Sequence, residues 1–105
     1  MEFEWNPDKN DSNIQKHGVS FETATQVFAD PLHVSIQDRI ENGEERWQTL
    51  GMVQSYTLLL VAHLVWDETD STEVVRIISA REATPRERKL YEQENQYYQV
   101  FNGSD

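Results

Sequence analysis

The sequence predicts an α+β domain in which a small antiparallel sheet carries two N-terminal helices and one C-terminal helix, in the order β-α-α-β-β-β-β-α. Three observations predict it. Two capped helix starts fall between residues 6 and 31. Hydrophobicity then repeats every second residue from 33 to 81. A complete helix start follows at Thr84-Pro85-Arg86-Glu87.

Residues 2–5 alternate Glu-Phe-Glu-Trp and read as a short strand with Phe3 and Trp5 inward. Asn6 is an N-cap residue, Pro7 fits the first helical position, and Asp8 suits the positive end of the helix dipole. This helix runs to His17 and stops at Gly18; Lys16 and His17 lie in the last turn, which favours cations. Ser20 opens a second helix with Val19 and Ala24 in staple positions. Phe21, Ala24, Val27 and Phe28 form its apolar stripe, and Asp30-Pro31 ends it.

Residues 33–40 and 46–53 read as strands around an acidic turn, Glu41-Asn42-Gly43-Glu44. Residues 56–66 form the most hydrophobic strand, Asp67 to Thr72 a polar turn, and residues 73–81 the last strand. Val74-Val75 and Ile77-Ile78 put apolar groups on both faces, as a central strand requires. The third helix has Thr84 as N-cap, Pro85 at N1 and Glu87 as the capping-box acid. It is expected to reach about Phe101, with Leu90, Tyr97 and Phe101 on one face and Tyr91 and Tyr98 beside it. The expected organisation is one domain, residues 1–101, and a flexible tail, 102–105.

Composition excludes several classes. There is no cysteine, so there is neither a disulfide framework nor a thiolate metal site, which fits a reducing cytosol. The acidic start shows no signal peptide, and the longest apolar run, Leu58 to Ala62, is too short to span a bilayer. A cytoplasmic location without membrane contact is expected. The three histidines lack metal-ligand spacing, and no phosphate-loop, dinucleotide or nucleophile-elbow motif is present, so no metal or cofactor is expected.

The net charge of −10 argues against general nucleic-acid coating and favours a basic protein partner. Residues 76–91 are the exception. They hold five cations (Arg76, Arg81, Arg86, Arg88, Lys89) against Glu82 and Glu87, a local +3. Such an island suits an anionic ligand; a solvated helix end with ordinary surface arginines would give the same count.

Three blocks together resemble the BrnT family of bacterial type II toxins. They are Phe3-Glu4-Trp5-Asn6-Pro7 leading through Asn13 to Lys16-His17-Gly18-Val19-Ser20-Phe21-Glu22-Thr23-Ala24; Val27-Phe28-Ala29-Asp30-Pro31 with Glu45-Arg46 and Gly51; and Arg76-Ile77-Ile78-Ser79-Ala80-Arg81 with Ala83-Thr84, Glu87-Arg88 and Tyr91. The resemblance covers about residues 3–91. It implies a RelE-like fold, a ribonuclease activity that suppresses translation, and a ribbon-helix-helix (BrnA-like) antitoxin that neutralises the toxin. A toxin–antitoxin hetero-oligomer acting on operator DNA through the antitoxin belongs to the same expectation.

Metal-independent RNA cleavage uses the 2′-hydroxyl as nucleophile. It needs a base, an acid and cations for the phosphorane charge. Arg76 and Arg81 match the family's strand motif and suit the last role, because a guanidinium stays charged and grips phosphate bidentately. Five residues apart on a regular strand they point to opposite faces, so they share a cleft only if the strand bends or ends near Ser79-Ala80. A structural ion pair of Arg81 with an acid such as Glu45 is the alternative. His17 and Tyr91 are the expected proton-transfer groups; helix capping and core-edge packing are their alternatives. Lys16, Arg46 and Arg88 are the expected phosphate contacts, Arg46 with cross-sheet pairing to an acid as its alternative. His63, on the face of Leu59 and Val61, reads as a buried, hydrogen-bonded histidine. RNA is expected over the sheet, between the last strand and the first and last helices. The acidity leaves a second class open, a non-catalytic module that keeps the fold and only binds its partner protein.

Overall fold

The computed structural model describes residues 1–54 and 56–96. The expected continuation of the last helix to Phe101, with its face of Tyr97, Tyr98 and Phe101, and the expected tail 102–105 lie outside the described residues. Strand β1 (Glu2–Glu4) leads into α1 (Pro7–His17) and α2 (Phe21–Ala24), which continues as a 3-10 helix, Thr25–Ala29. Then come β2 (Val34–Glu41), β3 (Glu44–Val53), β4 (Thr57–Thr69), β5 (Thr72–Glu82) and α3 (Pro85–Glu94).

The helix boundaries follow their caps. The Asn6 side chain accepts from the backbone N–H groups of Asp8 and Lys9, and Gly18 ends α1 at φ +72°, where a side chain would be strained. Ser20 accepts from Thr23 N–H. Thr84 and Glu87 form both bonds of a capping box at the start of α3. The second helix departs from expectation by tightening into the 3-10 form after Ala24. Its Val27 lies directly on Gly51 of β3, where an added Cβ would sit 2.6 Å from Val27 Cγ1 and 2.7 Å from the Val27 carbonyl oxygen. The close approach explains why residue 51 is a glycine.

The sheet order is β1-β5-β4-β3-β2. The sequence reading expected an antiparallel sheet; β1 instead pairs with β5 in parallel, Phe3 opposite Val75. Direction is invisible to periodicity, and two helices and three strands separate β1 from β5, so no hairpin imposes a direction on it. The hairpins are tighter than expected. Asn42 and Gly43, both at positive φ, turn β2 into β3. β4 and β5 stay paired as far as Thr69 and Thr72, which shrinks the expected 67–72 turn to Asp70-Ser71.

Helices cover both faces of the sheet. On one face α1, α2 and the 3-10 helix bury Phe21, Ala24 and Val27 against Val53, Leu59, Val61, Val75, Ile77 and Ala80. On the other, Leu50, Leu58 and Leu60 pack with Tyr91 and Leu90 of α3. The Leu58–Val61 run is therefore buried on both sides, which accounts for its unbroken hydrophobicity. On the α3 face the Arg76 side chain is 41% exposed.

Candidate active site

Whether Arg76 and Arg81 meet on one face is decided by one extra residue. β5 pairs Ser79 with Ala62 and Ile77 with His63, so Ile78 has no opposite number on β4. This β-bulge resets the alternation of side chains. Val75 and Ile77 point into the α1/α2 core before it and Ala80 after it. Arg76, opposite Leu64, and Arg81, opposite Leu60, therefore both project from the α3 face. Arg46 joins them, because it alternates with Trp47, which opposes the inward His63.

Each of these arginines has an acidic neighbour. Arg76 Nη1 donates to Glu4 Oε2 at 3.2 Å, from the strand that pairs alongside it. Arg81 donates through both terminal nitrogens to Glu87, at 2.8 and 2.9 Å. The expected structural partner, Glu45, is not the one used: Glu45 lies at the far end of β3, whereas the capping box holds Glu87 beside Arg81. Hydrogen bonding with Glu87 raises the Arg81 pKa, and the bonds from Arg81 pull the Glu87 carboxyl below its ordinary range. Arg46 lies 3.4 Å from Glu41 without a hydrogen-bonding angle.

α1 reaches this surface from the sheet edge. β1 pairs with β5 only as far as Arg76, and beyond it Asn13 takes over the edge. The Asn13 carboxamide donates to the carbonyls of Ala80 and Val19 and accepts from Ala80 N–H. Lys16 and His17, exposed in the last turn, line a shallow depression of about 200 Å³ with Lys9, Ile78 and Ser79. Ser79 is the β5 residue between the two arginines on that face, so the structure brings Lys16 and His17 to the arginine strand.

Tyr91 does not join them. It is 5% exposed, and its hydroxyl donates to Asp30 Oδ2 at 2.6 Å. Burial, then the bond to Asp30, raises its pKa; the nearby Arg88 charge acts the other way. This geometry matches the core-edge packing named as the alternative to proton transfer for Tyr91, which holds α3 on the sheet. Arg88 is half-buried on the same helix, and Lys89 is exposed. His63 is buried, with Nε2 2.7 Å from Thr49 Oγ1, and burial lowers its pKa.

Sequence reasoning missed two residues that hold the site in place. Asp30, read only as a helix stop, accepts from Leu32 N–H, Met52 N–H and Tyr91 O–H, tying the 3-10 helix to β3 and α3. Asn13 was visible only as part of a motif, since a polar residue within a helix carries no local sign of burial.

The fold also sorts the charge. The β2–β3 and β4–β5 turns lie at the same end of the sheet, because the connection between β3 and β4 is at the other. Residues 38–46 and 65–73 at that end hold eight acids and two arginines, a net −6 of the chain's −10. Lys16, Arg81, Arg86, Arg88 and Lys89 belong to the opposite end, at the finish of α1 and β5 and the start of α3.

Comparison with known proteins bears on the whole of this frame. No curated protein matches the sequence. The crystal structure of the Brucella abortus ribonuclease toxin BrnT superposes with a TM-score of 0.61 at 21% identity, over 80% of this chain and 97% of that one, which shows the shared fold. The family described as the ribonuclease toxin BrnT of type II toxin–antitoxin systems matches residues 5–87, a stretch that holds α1, the bulged strand with both arginines and the capping box. The chain belongs to the BrnT family of type II toxin–antitoxin ribonuclease toxins.

Proposed function

We propose that this chain is a RelE-like endoribonuclease that cuts RNA without a metal, suppresses translation by doing so, and is held inactive by a ribbon-helix-helix antitoxin. The observation that carries the reading is the bulge at Ile78, which turns Arg76 and Arg81 to one open face beside Lys16 and His17. RNA would cross that face between β5, α1 and α3.

The substrate supplies its own nucleophile. The 2′-oxygen attacks the adjacent phosphorus, the bond from phosphorus to the 5′-oxygen breaks, and a cyclic phosphate and a 5′-hydroxyl result. One proton leaves the 2′-oxygen and one arrives at the 5′-oxygen. His17 carries an imidazole, the side-chain type suited to both transfers. Arg76 and Arg81 stabilise the charge that develops on the phosphorane. Lys16 and Arg88 hold flanking phosphates; Arg46, beside Glu41 at the acidic end, takes the cross-sheet pairing named as its alternative. Glu4 and Glu87 orient the guanidinium groups and lower the net positive charge of the face.

Charge segregation supports RNA binding by so acidic a chain: counterion release depends on the cations that touch phosphate, and eight of the nineteen acids gather at the other end. The same acidity favours the second reading, a module that only binds its partner. RNA integrity after expression of wild type or Arg76→Ala, without a partner, separates the two. Cleavage by wild type and its loss in the variant, by about 10²–10³-fold, is the expected result. A folded Arg76→Ala protein that cuts normally removes this site, and intact RNA with wild type favours the binding module.

A further inference from the structure

β3 and β4 part company before either ends. Their ladder stops at Trp47 opposite His63, yet β3 begins at Glu44, paired only with β2, and β4 continues to Thr69, paired only with β5. The edges of Glu44–Arg46 and Leu64–Thr69 that face each other therefore have no strand between them. A cleft of about 420 Å³ opens there, floored by Leu64, Val65 and Trp66 and rimmed by Glu44 and Glu45. Trp66 is 40% exposed, a large apolar surface for so charged a neighbourhood.

Free strand edges accept an added strand, whose main chain supplies acceptors and whose alternate side chains fill pockets.

We infer that this fork is the docking site for an extended, basic segment of the antitoxin, inserted between the ends of β3 and β4. The inference rests on the reading of the chain as the toxin half of a pair. Charge selects the occupant. The two hairpin ends carry a net −6, which repels RNA and repels the same surface of a second copy, and which attracts lysine and arginine. An apolar side chain of the inserted strand would lie on Leu64 and Trp66. This cleft lies at the acidic end, away from Lys16, Arg81 and Arg88, so the docked segment leaves those cations uncovered, while Arg76, paired with Leu64, borders it.

The test uses the full chain and the purified antitoxin encoded with it. Glu44→Lys/Glu45→Lys is expected to weaken the complex at least tenfold, while Glu22→Lys on α2 leaves affinity unchanged. Hydrogen exchange is expected to slow at amides within Glu44–Arg46 and Leu64–Thr69 on binding. A complex of unchanged affinity in the double variant, or one without that protection, overturns the inference. So does self-association of the chain through the same amides, or protection of them by an RNA oligonucleotide. RNA cleavage by the chain alone is read in parallel. Cleavage without antitoxin binding refutes the docking site and keeps the nuclease; absence of both refutes the two together.

Discussion

The side chain of Asn13 stands where a strand backbone would, donating to the Ala80 carbonyl at 2.8 Å and accepting from Ala80 N–H at 3.2 Å. It continues the sheet edge that β1 leaves after Arg76, and it fixes the helix bearing Lys16 and His17 against the arginine strand. Asn13→Ala leaves buried groups of Ala80 unpaired. The expected cost is about 2–3 kcal/mol, read as a lower urea midpoint. RNA cleavage should fall as well, because His17 loses its fixed distance from β5.

Glu87 restrains Arg81 and caps α3 at once, so its two roles can be separated. Glu87→Gln keeps the capping geometry but removes the charge. RNA binding at low salt is expected to tighten, with the salt dependence of affinity steeper by about one counterion. The protein should lose about 0.5–1 kcal/mol at pH 7. The folded-state pKa of Glu87 lies below its ordinary 4.5, so its contribution is present above that value and lost as pH falls through the depressed one. Wild type and variant should therefore converge in stability as pH falls through that depressed value in acid-denaturation profiles.

Tyr91→Phe tests whether the hydroxyl packs or reacts. Removing it takes one bond from Asp30, which keeps those from Leu32 and Met52. The expected effect is a loss of about 1.5–3 kcal/mol, as for a hydrogen bond to a charged group, with cleavage retained under folding conditions. A stable variant that no longer cuts would restore Tyr91 to proton transfer.

His63 makes the fold sensitive to mild acid. Burial lowers its pKa from 6.5, so below that value the unfolded chain takes up a proton that the folded one refuses. Stability should fall as pH drops from about 6.5 towards the depressed value, and level off beneath it. His63→Gln, which can still reach Thr49, should flatten that slope; urea midpoints at pH 7.5 and 5.5 measure it.

The parts of this protein legible in its sequence are those governed by neighbours along the chain. Asn6, Gly18, Ser20 and the Thr84–Glu87 box each satisfy backbone groups within a few residues, so the ends they mark are where the structure has them. Alternation from 33 to 81 likewise revealed four strands, because side-chain direction along a strand is a local property. Even the need for a bend near Ser79-Ala80 could be stated, since Arg76 and Arg81 could not otherwise share a face.

Tertiary structure decided the rest, for reasons that involve partners far apart in sequence. The direction of β1 depends on the edge left free by β5, and the bulge at Ile78 on the register of β4. Arg81 pairs with Glu87 rather than Glu45 because the chain turns into α3 directly after β5. Tyr91 was withdrawn from the surface by an aspartate 61 residues earlier. The sequence by itself thus determined the elements, their caps and the cations available for phosphate. Pairing between distant strands, through one unpaired residue in β5, determined which of those cations face the same way.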